Sequence, residues 1–162
     1  MQTDAPTNMP LLHIKDFSLQ FLSQGEKVTQ VLEHINLRVS PGETCALVGE
    51  SGSGKSVTAL SILRLLDEIS RIRTEGSIQF AGQNINGLSK QAMQGLRGNR
   101  IAMIFQEPMT SLNPVYSVGM QLMEPLRLHQ KLTKNEAYTR ALELLVRTGI
   151  EDEDDRMESY PH

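Results

Sequence analysis

The 162-residue chain carries a formal net charge of -3 and 39% hydrophobic residues, enough for one ordinary domain with a sizeable core. That weakly acidic balance leaves no global basic footprint, so nucleic acid is not an expected partner. The single cysteine, Cys45, excludes an internal disulfide and fits a reducing compartment. The polar start MQTDAPTNMP lacks the basic and apolar regions of a signal peptide, and no apolar run approaches the roughly 20 residues of a membrane span. A cytosolic chain is predicted, one that meets a membrane only through partners.

Residues 1–10 read as a loose arm. Between 11 and 22, Leu12, Ile14, Leu19 and Phe21 recur around a polar Lys15-Asp16, which predicts two short strand pieces. A polar turn at 23–27 leads to a second strand over 31–39, carried by Leu32, Ile35, Leu37 and Val39. Pro41-Gly42-Glu43 signals a turn, and the short apolar run at 44–48 fits a buried parallel strand. After a glycine-rich loop comes an amphipathic helix with Leu60, Ile62, Leu63, Leu65 and Leu66. Residues 76–81 read as another strand, and 101–105 as a second buried one.

Beyond Gln106 the pattern turns helical. Residues 118–129 have the helical period, with Pro125 expected to kink or restart the helix. Thr133-Lys134-Asn135-Glu136 matches a capping box, in which hydroxyl and carboxylate satisfy each other's orphan amides. The helix it opens should bury Ala137, Ala141, Leu144 and Leu145, and Gly149 can stop it. Residues 151–155 read as an acidic surface turn.

Gly49-Glu50-Ser51-Gly52-Ser53-Gly54-Lys55-Ser56 fits G-x-x-x-x-G-K-[ST] without a mismatch, after a predicted strand and before a predicted helix. Glycines at 49, 52 and 54 let the backbone wrap a phosphate with its amides turned inward. The following helix adds free N-terminal amides and the positive end of its dipole. Lys55 supplies an ammonium for the β- and γ-phosphates, and the Ser56 hydroxyl is a hard oxygen ligand for Mg²⁺. A nucleoside phosphate with Mg²⁺ is therefore the expected ligand, and ATP is the nucleotide that the resemblance described below implies.

The loop alone does not separate ATPases, GTPases and kinases. The second block, Phe105-Gln106-Glu107-Pro108-Met109-Thr110-Ser111-Leu112-Asn113-Pro114, is more selective. A strand that delivers a glutamine where a helical region begins resembles the Q-loop of ATP-binding cassette ATPases. Together with Glu50-Ser51-Gly52-Ser53-Gly54-Lys55-Ser56-Val57-Thr58-Ala59, it resembles the oligopeptide, dipeptide and glutathione importer branch of that family. Leu96-Arg97-Gly98-Asn99-Arg100-Ile101-Ala102-Met103-Ile104 and Glu124-Pro125-Leu126-Arg127-Leu128-His129 strengthen the match, which covers about residues 11–162.

The resemblance implies a P-loop α/β fold with an antiparallel β subdomain, a partial parallel core sheet and the start of a helical subdomain. Residues 11–106 would form the β subdomain and P-loop core, and 107–162 the Q-loop and the first part of the helical subdomain. Gln106 would position the attacking water and Mg²⁺, while residues 49–57 would hold nucleotide, Val57 by its backbone amide only, where many members carry Thr. Phe21 falls where the family stacks an aromatic on adenine; packing in its strand is the alternative. The implied activity is ATP hydrolysis coupled to import of peptides or similar small solutes, on the cytoplasmic face of the membrane. Implied partners are two polytopic permease subunits seated on the Q-loop and helical groove, a second ATPase domain and, indirectly, an external solute-binding protein. Met109, Met120 and Met123 either fill core or line that groove. A soluble cassette ATPase acting on DNA or ribosomes is the rival reading.

One departure is an absence. Family members continue after a Tyr-Pro-His like Tyr160-Pro161-His162 with a signature sequence, a Walker B strand with its catalytic Glu, and a switch His, none of which lies in these 162 residues. The expectation is the first half or so of a nucleotide-binding domain. On that reading the runs at 44–48 and 101–105 lack their strand neighbours, and the chain by itself is inert or binds nucleotide without hydrolysis.

Overall fold

The computed structural model describes residues 9–23, 28–107 and 111–162. Most of the expected arm, residues 24–27 of the polar turn and Pro108-Met109-Thr110 lie outside them. The chain forms two compact units, Met1–Gln94 and Gly95–His162.

In the first unit, Ile14, Phe17 and Leu19 are all buried, although 14 and 17 are an odd number of residues apart. The extra residue is accommodated at Asp16, φ 49°, and pairing slips there against both neighbouring strands. A bulge of this kind restores alternation, so the apolar side chains stay on one face. One bulged strand, β1 (Leu12–Leu22), thus stands where two pieces were predicted. Its partner β2 (Val28–Val39) has a matching irregularity at His34, φ 50°. Side chains hold the two together. Asp16 N donates to Asn36 Oδ1 at 3.0 Å, His34 N to Ser18 Oγ at 3.0 Å, and His34 Nδ1 to the Asp16 carboxylate at 2.6 Å.

On the other side of β1 runs β3 (Ile72–Phe80), which starts four residues earlier than predicted and pairs through a short turn with β4 (Gln83–Asn84). The sheet order is β2-β1-β3-β4, and each pairing is antiparallel. Gly76 faces the bulge at φ 78°, where a Cβ would lie 2.2 Å from the Asp16 carbonyl oxygen. Only glycine fits that approach.

The predicted helix after the loop divides into α1 (Lys55–Ile62) and α2 (Leu66–Ile69), followed by α3 (Lys90–Leu96). The break falls at Arg64, φ 52°. Its guanidinium is anchored on the Ile85 and Leu88 carbonyls at 3.1 and 2.6 Å and on Asp67 at 2.7 Å. Leu63 and Leu66 are buried as expected, but inside α1 the buried positions are Thr58 and Ser61 rather than leucines.

The two runs read as buried parallel strands are corrected by the structure. Residues 44–48 and 102–105 belong to no strand, and a lone bridge joins Arg97 to Ile101. Val48 is 90% exposed and Ile104 95%. A parallel strand exists only between neighbours and beneath helices, and among the described residues no strand pairs with either run. The parallel core is therefore the one part of the expected architecture without a ladder here.

The second unit is helical: α4 (Val118–Gln130), α5 (Lys134–Arg147) and α6 (Glu153–Glu158), the last standing where an acidic turn was predicted. Pro125 removes one backbone donor, yet α4 continues through it without a restart. Burial of Leu126 against Ala137, Ala141, Leu145 and Met157 holds that stretch of α4 in place. The capping box forms as predicted: Glu136 N donates to Thr133 Oγ1 at 3.4 Å, and Thr133 N to Glu136 Oε2 at 2.8 Å. The Thr133 hydroxyl and amide together hold the Glu136 carboxyl below its ordinary range. At the far end, Gly149 N bonds to Val146 O and Ile150 N to Leu145 O, a Schellman stop with Gly149 at φ 75°. Gly119 lets the start of α4 meet the end of α6, since a Cβ there would lie 2.5 Å from Met157 O.

The bulge pair carries a titration. The hydrogen bond to Asp16 raises the pKa of His34 first, then the charge of Asp16; desolvation opposes them, and Glu33 and Glu75 add the smallest contributions. Because the folded value is raised, the pair's contribution to stability is fully present below the ordinary value near 6.5 and fades as pH rises through the folded pKa. An NMR titration should place the His34 midpoint above 6.5, and Asp16→Asn should bring it down.

Candidate functional site

The glycine loop leads into α1 through two left-handed residues, Gly52 at φ 83° and Gly54 at φ 89°. Gly54 lies directly on the sheet, where an added Cβ would come within 2.6 Å of Leu32 Cδ2. Leu32 is 2% exposed, so it cannot move aside into space. Gly49 is tight in another way, since its Cβ would meet Ser53 Oγ at 2.6 Å. The loop closes on itself through Ser53 N donating to Glu50 O at 3.2 Å.

Lys55 folds back over this loop. Its ammonium donates to the Gly49 and Glu50 carbonyls, both at 2.7 Å, and lies 3.3 Å from Ser53 Oγ. The charge is thereby held by backbone oxygens of the loop and, among the described residues, not by a carboxylate. Helix α1 begins at Lys55 with no side-chain cap and no acidic residue in its first turn. Its first amides are orphan donors at the positive end of the helix dipole. Thr58 fixes the other end of this turn, with both its N–H and its hydroxyl donating to Gly54 O, at 2.8 and 3.0 Å. Left-handed glycines, orphan amides and one tethered ammonium can together receive an anion with several oxygens.

The Ser56 side chain is exposed beside this cradle. Among the described residues no group of three or more His, Cys, Asp or Glu side chains could hold a metal. The donor chemistry fits a hard cation that takes one hydroxyl here and the rest of its oxygens from phosphate and water, as Mg²⁺ does.

Phe21 lies half-buried near the end of β1, in register with Thr29 and Ile72. Gln106 belongs to the second unit, exposed at a bend after the unpaired run 102–105. The structure thus brings residues 49–57 together as one loop, with Phe21 and Gln106 on separate elements.

In the second unit a groove of about 810 Å³ opens beside α4. Met120 and Met123 line it, as one of the two readings of the methionines expected, and Met123 also packs on the core. Met109 lies outside the described residues. Sequence reasoning missed Tyr116 and Leu128, 49% and 65% exposed, which also line the groove. For Leu128 the signal was an apolar position off the Leu122–Leu126 core stripe of α4, whereas Tyr116 lies before the helix and had none.

A glycine loop that passes a lysine into an uncapped helix behind a sheet defines a P-loop nucleotide-binding protein. Residues 32–162 match the ABC transporter family, and the chain belongs to it. A peptidoglycan transport ATP-binding protein of Agrobacterium fabrum is 48% identical over 153 residues, 94% of this chain and 28% of that protein. A probable peptide ABC transporter ATP-binding protein of Sinorhizobium fredii is 45% identical over 162 residues, 100% of this chain and 48% of the relative. A putative peptide import ATP-binding protein of Brucella melitensis is 46% identical over 161 residues, 96% and 47% respectively. The chain spans about half the length of the latter two and about a quarter of the first.

The loop's dependence on Gly54 is testable. Gly54→Ala adds a methyl against Leu32 at a left-handed φ, so it should cost about 1–3 kcal/mol, read as a lower urea midpoint at unchanged slope. Equal midpoints would mean that the loop does not rest on the sheet as described.

Proposed function

We propose that this chain supplies the phosphate-binding part of a subunit that couples ATP hydrolysis to import of peptides or similar small solutes. The observation that carries the reading is the uncapped start of α1 beneath the tethered Lys55 ammonium. Residues 49–57 bind the phosphates by backbone amides, with Val57 giving its amide alone. Lys55 neutralises the β- and γ-phosphates, keeping its charge centred while its carbonyl partners hold the side chain in place. Ser56 takes Mg²⁺, which when bound bridges and neutralises phosphate oxygens. Gln106 orients water, and Phe21 offers a face to adenine.

The partner reading places two membrane permease subunits on the groove of the second unit. Exposed Tyr116, Met120 and Leu128 give it an apolar floor, and Glu124, Arg127 and Lys134 give it a charged edge. That is the composition of a docking patch rather than a core. Relatives named for peptide import and transport support a transport role over one on DNA or ribosomes. No helix of the described residues is long and apolar enough to cross a membrane. In this reading the subunit is peripheral, on the cytoplasmic face, and works as a pair of ATPase domains.

Two substitutions in the whole protein separate the roles. Lys55→Ala removes the fixed cation and should weaken binding of a fluorescent ATP analogue by about 1.5–3 kcal/mol; equal affinities would sink the phosphate-loop role. Gln106→Ala should lower turnover at near-constant ATP affinity, because its amide acts only as the site closes. Normal transport-coupled hydrolysis in that variant would contradict the role given to Gln106.

A further inference from the structure

The turn that precedes α4 is held by one side chain of that helix. Tyr116 N donates to Asn113 O at 3.3 Å around Pro114, and Asn113 Oδ1 accepts from Val115 N at 3.1 Å. Gln121, one turn into α4, then grips this unit from outside. Its Oε1 accepts from Asn113 N at 2.7 Å, and its Nε2 donates to Asn113 O and to Tyr116 O, both at 2.9 Å. Both amide hydrogens and one oxygen lone pair are used, two of the three bonds on the backbone N–H and C=O of one residue.

The chemistry of that grip is narrow. A glutamate of the same length could accept from Asn113 N but would set a carboxylate against two carbonyl oxygens. Methionine matches the shape and makes none of the bonds. Few side chains other than glutamine satisfy one donor and two acceptors at this reach.

What the turn carries gives the grip its consequence. Tyr116 stands on the groove wall, and Gln106 lies seven residues before Asn113 on the same connecting segment. The start of α4 is itself fixed, by Val118 N donating to Ser159 O at 2.9 Å and by the close seat of Gly119 on Met157. Gln121 thus ties to an anchored helix the turn that joins the groove wall to the segment carrying Gln106.

We propose that Gln121 is a positioning residue that transmits occupancy of the groove to the Gln106 segment by clamping the Asn113–Tyr116 turn onto α4. The inference rests on the partner reading above and adds to it the residue through which the partner acts. Gln121 also lines the groove, so its positioning role is read from Asn113 exchange together with stimulation rather than from stimulation alone.

The test uses the whole protein, alone and reconstituted with its membrane subunits in proteoliposomes, as wild type, Gln121→Met and Gln121→Glu. In Gln121→Met, amide exchange at Asn113 should speed up about tenfold, because its acceptor is gone. ATP affinity of the protein alone should stay within about twofold, while stimulation of hydrolysis by the membrane subunits falls about fivefold or more. Gln121→Glu keeps the Asn113 acceptor and the helical circular dichroism signal, and should lose stimulation with Asn113 exchange less affected. Full stimulation in both variants overturns the proposal, as does unchanged Asn113 exchange in Gln121→Met. A wild type that the membrane subunits do not stimulate at all fails the partner reading, and this inference with it.

Discussion

Everything the first unit can do depends on the contact between Gly54 and Leu32. Leu32 is the buried residue of β2 that the loop approaches. A residue with a Cβ at 54 would push the start of α1 away from β2. With glycine there, the backbone turns through a left-handed φ beside β2, and α1 begins with no side chain capping its first amides. The shape of the loop is thus a consequence of packing.

The same economy appears in the placing of Lys55. An ammonium beside orphan amides would be repelled by the helix dipole if it were free to choose its position. Two carbonyls of the loop hold it instead, and among the described residues no carboxylate takes part. The cradle consequently keeps its positive character. In the second unit, by contrast, charges are used to close helices: Glu136 caps α5, and Tyr138 bonds to Asp154 at 2.9 Å across to α6. That bond raises the Tyr138 pKa, with desolvation as a lesser cause.

Much of this was legible in the residues. The loop motif, the capping box at Thr133 and the stop at Gly149 are local, because each is specified by a few neighbours in sequence. The bulge at Asp16 was half legible: the polar interruption was visible, but the strand continues through it because Gly76, sixty residues away, leaves room. The end of α1 at Arg64 was hidden, since its cause lies in the carbonyls of Ile85 and Leu88. Residues 44–48 and 101–105 misled for a different reason. Apolar runs bounded by turns do have the character of buried parallel strands, but that character becomes a ladder only beside other strands. The grip of Gln121 had no signature at all, as a polar residue on a helix reads as solvated surface.

The central claim is that the amides at the start of α1 receive phosphate. Adding Mg·ATP to the isotopically labelled protein and following its backbone amide resonances tests it most directly. The account predicts the largest shifts at Gly52, Gly54, Lys55, Ser56 and Val57, with the Asn113–Tyr116 turn little moved by nucleotide alone. Saturable shifts that leave those five amides unchanged would contradict it.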